Sequence, residues 1–398
     1  MKGCFMVNKQ QLSQRNAFCT IHRFQTFLIG VLLAFLCCVV TLTLTSCGQS
    51  SRGSTNIHGQ DTQQTSATKA SDKTHVITDL AGRKVTLPKD IKRAAVLVYP
   101  TQEEVAMLGA HNQVAITGGK NLTKGWGSVV FPEYGKLHAA ENGMKPNIEE
   151  LIKLNVDVVF FWDSKPDIIA QIENAGIPVV VTQVDNDNID TPEQFVEFKK
   201  HEIMMLGEIF GGQALDKAKK WCADADSRVK RIQTALSNVT PNKIPSVYYI
   251  RGPKALQVHG GESYTYYLVS LAKGDLVTKH EKKLLYTTTM EEVVKWNPSY
   301  IFMGRVNNID LVMNDPAWQG IKAVKDKKVF VNLKGPFVAD YSSDCFLLME
   351  QIAQDLHPKE LHDLDMVKEV QSYYKQFYNY DISAEDAKRV LTFKEPNA

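Results

Sequence analysis

Five apolar runs in this sequence end on side chains equipped to bind something. AAVLVY (94–99) ends at Tyr99, QVAIT (113–117) runs into Gly118-Gly119-Lys120, and DVVFFW (157–162) ends at Trp162 and Asp163; SVYYI (246–250) is followed by Arg251 and YIFMG (300–304) by Arg305. If those runs are strands of open α/β sheets, a ligand belongs just beyond their carboxyl ends. Lys120, Arg251 and Arg305 would then grip an anion, because a guanidinium holds carboxylate or catecholate oxygens in a fork. Tyr99, Trp126 and Trp162 offer flat faces for stacking. His259 and Tyr264, in QVHGGESYTYY, are the candidates for direct metal contact, since imidazole and phenolate both ligate iron and imidazole also suits nickel. The competing reading of His259 is a hydrogen-bonded loop residue beside a Gly-Gly turn, because a metal site needs several convergent donors. Tyr266 and Tyr267 read as core aromatics of the next helix, and Asp340 and Tyr341 rank behind the other cleft candidates. Catalytic signatures are missing: the chain has no GxSxG, HExxH, Walker loop or dinucleotide GxGxxG, so no enzymatic activity and no resident cofactor is expected.

The elements that must hold these residues alternate in a steady rhythm. VITDL and KVTLP form a hairpin around Ala81-Gly82-Arg83; strands and helices then follow each other from 94 to 184 and again from 246 to 332, which means α/β architecture with parallel sheets. Between the two halves, Thr191-Pro192-Glu193-Gln194 supplies a capping box with proline at the first helical position, starting a helix that should run to about Phe210. Gly211-Gly212 breaks it, and apolar residues from Ala214 to Leu236 at spacings of three and four mark a second helix over 213–237. At ~1.5 Å per residue that helix would reach about 37 Å, enough to join two lobes rigidly. The halves also share a phrase: IEELIKLNVDVVFF (148–161) and MEEVVKWNPSYIFM (290–303) are each a helix opening on two glutamates, an Asn-containing turn and a buried strand.

The N-terminus reads as an export signal. Lys2, Lys9, Arg15, His22 and Arg23 precede FLIGVLLAFLCCVVTLTLT, and the alternative is an uncleaved membrane anchor. Leu44-Thr45-Ser46-Cys47 resembles a lipoprotein signal box in which Cys47 is lipidated and becomes the first mature residue, so 1–46 would be the signal peptide and 47–74, rich in Ser, Thr, Gly and Gln, a flexible tether. With four cysteines in the removed segment and one lipidated, Cys222 and Cys345 remain, too few for a disulfide framework or a CxxC metal knuckle. A formal net charge of +2 over 398 residues gives no argument for nucleic acid.

TDLAGRKVTLP, KPNIEELIKLNVDVVFFW, TTTMEEVVKWNPSYIFMG and WQGIKAVKDKKVFVNLKG together resemble the substrate-binding proteins that feed ABC importers of iron-siderophores, haem, corrinoids and related metal complexes. The resemblance covers 75–395 and implies two α/β lobes, 75–212 and 238–398, bridged by one long helix at 213–237, with the ligand in the cleft between them. It implies a monomeric, lipid-anchored receptor on the outer face of a bacterial membrane that captures a metal complex, ferric siderophore first, with haem, a corrinoid, a nickel chelate or molybdate as alternatives; the reading set against it is a lipid-anchored surface protein or an enzyme of unfamiliar type without a transport role. It also implies a permease and its ATPase as partners, with Glu149 and Glu291 docking each lobe onto permease arginines. Without the resemblance those glutamates are simply carboxylates favoured at helix N-termini.

Overall fold

Residues 73–184 and 189–397 are described by the computed structural model, all within one compact unit. Cys47, the signal segment 1–46 and the tether up to residue 72 lie outside the described residues. Among the described residues no helix is long and apolar enough to cross a membrane.

The chain enters through the expected hairpin, β1 (Thr74–Thr78) and β2 (Lys84–Pro88). The first sheet takes β3 (Ala94–Val96), β4 (Val114–Thr117), β5 (Val158–Trp162) and β6 (Val179–Gln183) in the order β4-β3-β5-β6, with all pairs parallel. Helices α1 (Tyr99–Met107), α2 (Gly125–Val130), α3 (Ile148–Lys153) and α4 (Pro166–Asn174) connect or follow these strands. The first strand is shorter than the apolar run suggests, because Pro100 occupies the start of α1 and turns Tyr99 into a helical residue.

Two long helices then cross to the second sheet. Thr191 and Gln194 form the capping box that opens α5 (Pro192–Phe210), and α6 (Gly212–Ala235) begins after a single residue, Gly211, at φ +67°. α6 is thus the expected long helix that bridges the lobes, and α5 lies alongside it. Lys200 of α5 pairs with Asp226 of α6 at 2.9 Å, and a Cβ on Gly207 would fall 2.5 Å from that of Ala218, so the two helices run antiparallel with backbones in close approach. Both reach across the molecule. Phe210 packs on Phe160 of β5 and the Lys217 ammonium donates to the Met107 carbonyl, while at the far end Phe195 stacks on Tyr267 and Arg228 meets Glu350.

The second sheet differs from the expectation of a purely parallel one. β7 (Ser246–Ile250), β11 (Tyr300–Met303) and β12 (Val329–Val331) are parallel, but β8 (Gln257–His259) runs antiparallel to β7 and β10 (Leu285–Thr287) antiparallel to β8; β9 (Asp275–Leu276) pairs with β7. Only six residues separate β7 from β8, too few for the crossover that a parallel neighbour requires. Helices α7 (Tyr264–Leu271), α8 (Met290–Trp296), α9 (Asp310–Met313) and α10 (Lys322–Lys325) belong to this half, followed by α11 (Cys345–Leu356), α12 (Met366–Tyr373) and α13 (Ala384–Leu391). The C-terminal end returns to the first lobe, where Trp126 donates its indole N–H to the Lys394 carbonyl and Phe131 meets Tyr378 edge to face.

The shared phrase is a shared structure. α3 is capped by the Asn147 side chain and α8 by Thr289 in a capping box with Glu292; Asn155 and Asn297 then take left-handed φ of +49° and +42°, and β5 and β11 follow. Asparagine tolerates that conformation better than other non-glycine residues, which is why both turns carry it.

Candidate functional site

A cavity of about 410 Å³ opens between the two sheets. From the first lobe it is lined by Leu97, Val98, Tyr99 and Pro100 at the β3–α1 junction, Met144, Trp162 at the end of β5 and Gln183 at the end of β6. The second lobe contributes Arg251 beyond β7, His259 at the end of β8, Leu284 and Leu285 before and at the start of β10, Arg305 beyond β11, and Phe337 and Tyr341 from the loop ahead of α11. Carboxyl strand ends and the loops just beyond them thus face each other, as the topology of parallel strands demands.

The charged groups come from the second lobe. Arg305 makes a two-point contact with Asp340, Nε to Oδ2 at 3.3 Å and Nη2 to Oδ1 at 3.2 Å, and its guanidinium lies 4.7 Å over the Tyr341 ring. Burial opposes its charge, but Asp340 more than offsets this and holds the pKa above the usual arginine value. Arg251 makes no such two-point pair among the described residues, although Asp340 also acts on it at longer range. Its Nε is buried without an acceptor, and its pKa is pushed down by burial and then by the neighbouring charge of Arg305. Across the cavity the Trp162 Nε1 is likewise a buried donor with no acceptor. Two orphaned N–H groups on the wall of one cavity are costly unless a ligand accepts from them.

His259 is buried, and its Nδ1 lies 2.8 Å from the Thr265 hydroxyl of α7. Burial first, against the partial compensation of Asp340, lowers its pKa to about 4, so the imidazole is neutral at physiological pH. A neutral imidazole is the form that ligates metals. The Tyr341 ring lies 6.2 Å from that of His259 and lines the same cavity. Among the described residues no three His, Cys, Asp or Glu side chains cluster to hold a metal ion by themselves.

Directly behind this wall sits a buried ionic cluster. Gln183 donates to Glu202 at 3.0 Å, and the Lys199 ammonium binds both Glu202 and Glu104, the latter at 3.0 Å. Glu103, on the next position of α1, accepts from the Ser343 N–H, the Ser343 hydroxyl and the Tyr378 hydroxyl, each at 2.8 Å, joining the first lobe to the C-terminal helices.

Of the sequence candidates, Tyr99, Trp162, Arg251, His259 and Arg305 line the cavity, and four lie elsewhere. Lys120 is exposed on a short helical turn, and Asp163, after Trp162, is off the wall. Trp126 is buried against the C-terminal segment, its indole N–H already used by Lys394, so it presents no face for stacking in the cleft. Tyr264 packs among Phe195, Phe198 and Tyr341 instead of lining the cavity, because α7 turns that side of the helix into the core. The Gly118-Gly119 and Gly260-Gly261 turns serve the protein's own backbone: a Cβ on Gly118 would lie 1.9 Å from the Leu97 carbonyl oxygen, and one on Gly260 2.2 Å from that of Lys283. Met144, Gln183, Leu284, Leu285 and Phe337 were not among the sequence candidates: Met144, Leu284 and Phe337 reach the cleft from loops that no periodicity marks, whereas Gln183 and Leu285 lie at strand ends without a charge or aromatic ring to single them out.

In the shared α3 and α8 motifs the two glutamates divide their work. Glu150 pairs with His138 at 2.7 Å and Glu292 accepts from Thr288 at 2.6 Å, whereas Glu149 and Glu291 are exposed.

Comparison with known proteins agrees with this geometry. The sequence pattern of the periplasmic binding proteins matches residues 96–332. The molybdate-binding protein MolA of Haemophilus influenzae is 28% identical over 341 residues, covering 79% of this chain and 93% of its own length. The iron-uptake system-binding protein of Bacillus subtilis is 24% identical over 328 residues, covering 76% and 91%. The solved structure of Haemophilus influenzae MolA bound to molybdate, described as the cognate periplasmic binding protein of an ABC transporter, superposes with a TM-score of 0.68 at 26% identity over 78% of this chain and 99% of that one. With two α/β lobes, a ligand-sized cleft at their strand ends and a family pattern spanning more than half its length, the chain belongs to the periplasmic binding protein family.

Proposed function

We propose that the protein is the lipid-anchored, extracytoplasmic receptor of an ABC importer and that it captures an anionic metal chelate, a ferric siderophore before any other. The observation that carries this is the pair of buried, unsatisfied donors, Arg251 Nε and Trp162 Nε1, beside a second guanidinium in one cavity. An oxygen-rich anion would satisfy both donors and relieve the Arg251–Arg305 repulsion. The cavity, at about 410 Å³ with mostly apolar walls, has the size of a small-molecule site and exceeds what one metal atom with four oxygens would fill. A metal that arrives already chelated needs few protein donors, and the neutral imidazole of His259 on the cavity wall would offer one for a coordination position the chelator leaves open. Similarity to MolA favours a second reading, molybdate, with Arg251 and Arg305 as the anion's contacts.

Binding is the whole mechanism on this reading. The cleft desolvates the complex, the lobes close on it, and Glu149 and Glu291 dock the two lobes onto basic residues of the permease, while a separate ATPase supplies the energy. Titration of the purified protein with ferric bis-catecholate, ferric tris-hydroxamate and molybdate, followed by tryptophan fluorescence, decides the ligand class. Saturable quenching by ferric bis-catecholate supports the first reading and by molybdate alone the second, whereas quenching by the neutral tris-hydroxamate alone, or by none of the three, removes both. Uptake in the producing cell by the Glu149→Gln/Glu291→Gln variant, with ligand binding intact, tests docking; undiminished uptake would refute it.

A further inference from the structure

We propose that Asp340 sets the charge of the ligand: by neutralising Arg305 it leaves the cavity one uncompensated positive charge, that of Arg251, and so tunes it to complexes of low negative charge. This rests on the anionic-chelate reading above and narrows it to a charge class. Asp340 is 1% exposed and holds Arg305 at two points, so its charge is spent inside the wall. The groups acting electrostatically on Arg251 are Arg305, Asp340, Tyr341 and Tyr249, and those acting on His259 are Asp340, Arg305 and Arg251; Asp340 is the one carboxylate in both sets. Tyr249 and His259 are both neutral at physiological pH, so the local count is two guanidiniums against one carboxylate.

Charge selection follows from how the two electrostatic costs scale. Attraction to the site grows in proportion to the ligand's charge, whereas the cost of removing the ligand from water grows with its square. A singly negative complex is therefore matched by Arg251, while a triply negative one enters with charge that nothing in the wall answers. The same geometry explains why two arginines are present although only one is counted: Arg305, fixed by Asp340 and stacked on Tyr341, is a rigid donor of remaining N–H groups without adding net charge.

The test compares the full-length protein with Asp340→Asn, a substitution that keeps the shape and one acceptor for Arg305. The probes are ferric tris-hydroxamate, which is neutral, ferric bis-catecholate, singly negative, and ferric tris-catecholate, triply negative. Freeing Arg305 should leave the neutral complex within about threefold, tighten the singly negative one about tenfold and the triply negative one more than about a hundredfold, the gain scaling with ligand charge. The double variant Asp340→Asn/Arg305→Gln restores the original net charge and should return the wild-type order. A similar change for all three probes, or a double variant that behaves like Asp340→Asn, overturns the charge assignment and leaves the anionic-chelate reading standing. Wild-type protein that binds neither negative probe overturns that reading and this inference together.

Discussion

Lys199 is a fully buried cation and Arg251 a partly buried one on the cavity wall, and the fold treats them in opposite ways. Lys199, fully buried, lies between Glu104 and Glu202, and their attraction more than offsets burial to raise its pKa well above the lysine norm. Arg251 has a like charge nearby, an orphaned Nε and a lowered pKa. One charge is paired within the protein; on the proposed reading the other is completed by the ligand. Burial alone thus fails to separate structural from functional charges, and the state of the partner does so.

Removing each cation breaks that comparison in a different measurement. Lys199→Met strands two buried carboxylates and should cost about 3–5 kcal/mol of stability, read as a large fall in Tm, because a broken buried pair leaves uncompensated charge. Arg251→Gln should lower affinity for the anionic ligand about a hundredfold with Tm held or raised, as expected for a charge-assisted bond made only to ligand. If Arg251→Gln instead unfolds the protein, the division between the two cations fails.

Titration sharpens the same contrast. Glu103 and Glu202 are pushed up to about 8, in each case chiefly by burial, with Asp344 next for Glu103 and Glu104 next for Glu202. The native state therefore binds more protons than the unfolded one between about pH 4.5 and 8, and their contribution to stability is present below that window and lost as pH rises through it. Stability should fall by up to about 1.4 kcal/mol per pH unit per carboxyl in that range, and Glu103→Gln should flatten the slope in urea denaturation series. The smallest effect belongs to the tryptophans. Trp162→Phe should abolish ligand-induced quenching and weaken binding by about threefold to tenfold, whereas Trp126→Phe should leave the quenching intact, because only Trp162 lines the cavity.

How much of this was legible beforehand depended on whether the signal was local. The capping box at Thr191 and Gln194, the Gly211-Gly212 break and the Asn turns after α3 and α8 are written in neighbouring residues, and each formed as its residue types require. The strand-end rule also picked out Tyr99, Trp162, Arg251 and Arg305, which line the cavity, because a β-strand's carboxyl end follows from its direction in the sheet. Trp126 and Tyr264 went astray for the converse reason. Which partner covers an aromatic ring is settled by a contact hundreds of residues away for Trp126, with Lys394, and by the rotation of α7 for Tyr264.

The sequence by itself determined two α/β halves with a shared glutamate–asparagine motif, and the residue types at the strand ends, since periodicity and turn chemistry act over a few residues. Only the tertiary structure decided that α5 folds back antiparallel along the bridging helix α6, that the second sheet is mixed, and that Asp340 holds Arg305 at two points while the Arg251 Nε keeps no acceptor among the described residues. Those outcomes depend on which distant groups share a low-dielectric space, where the presence or absence of a single carboxylate decides whether a charge is structural or waits for a ligand.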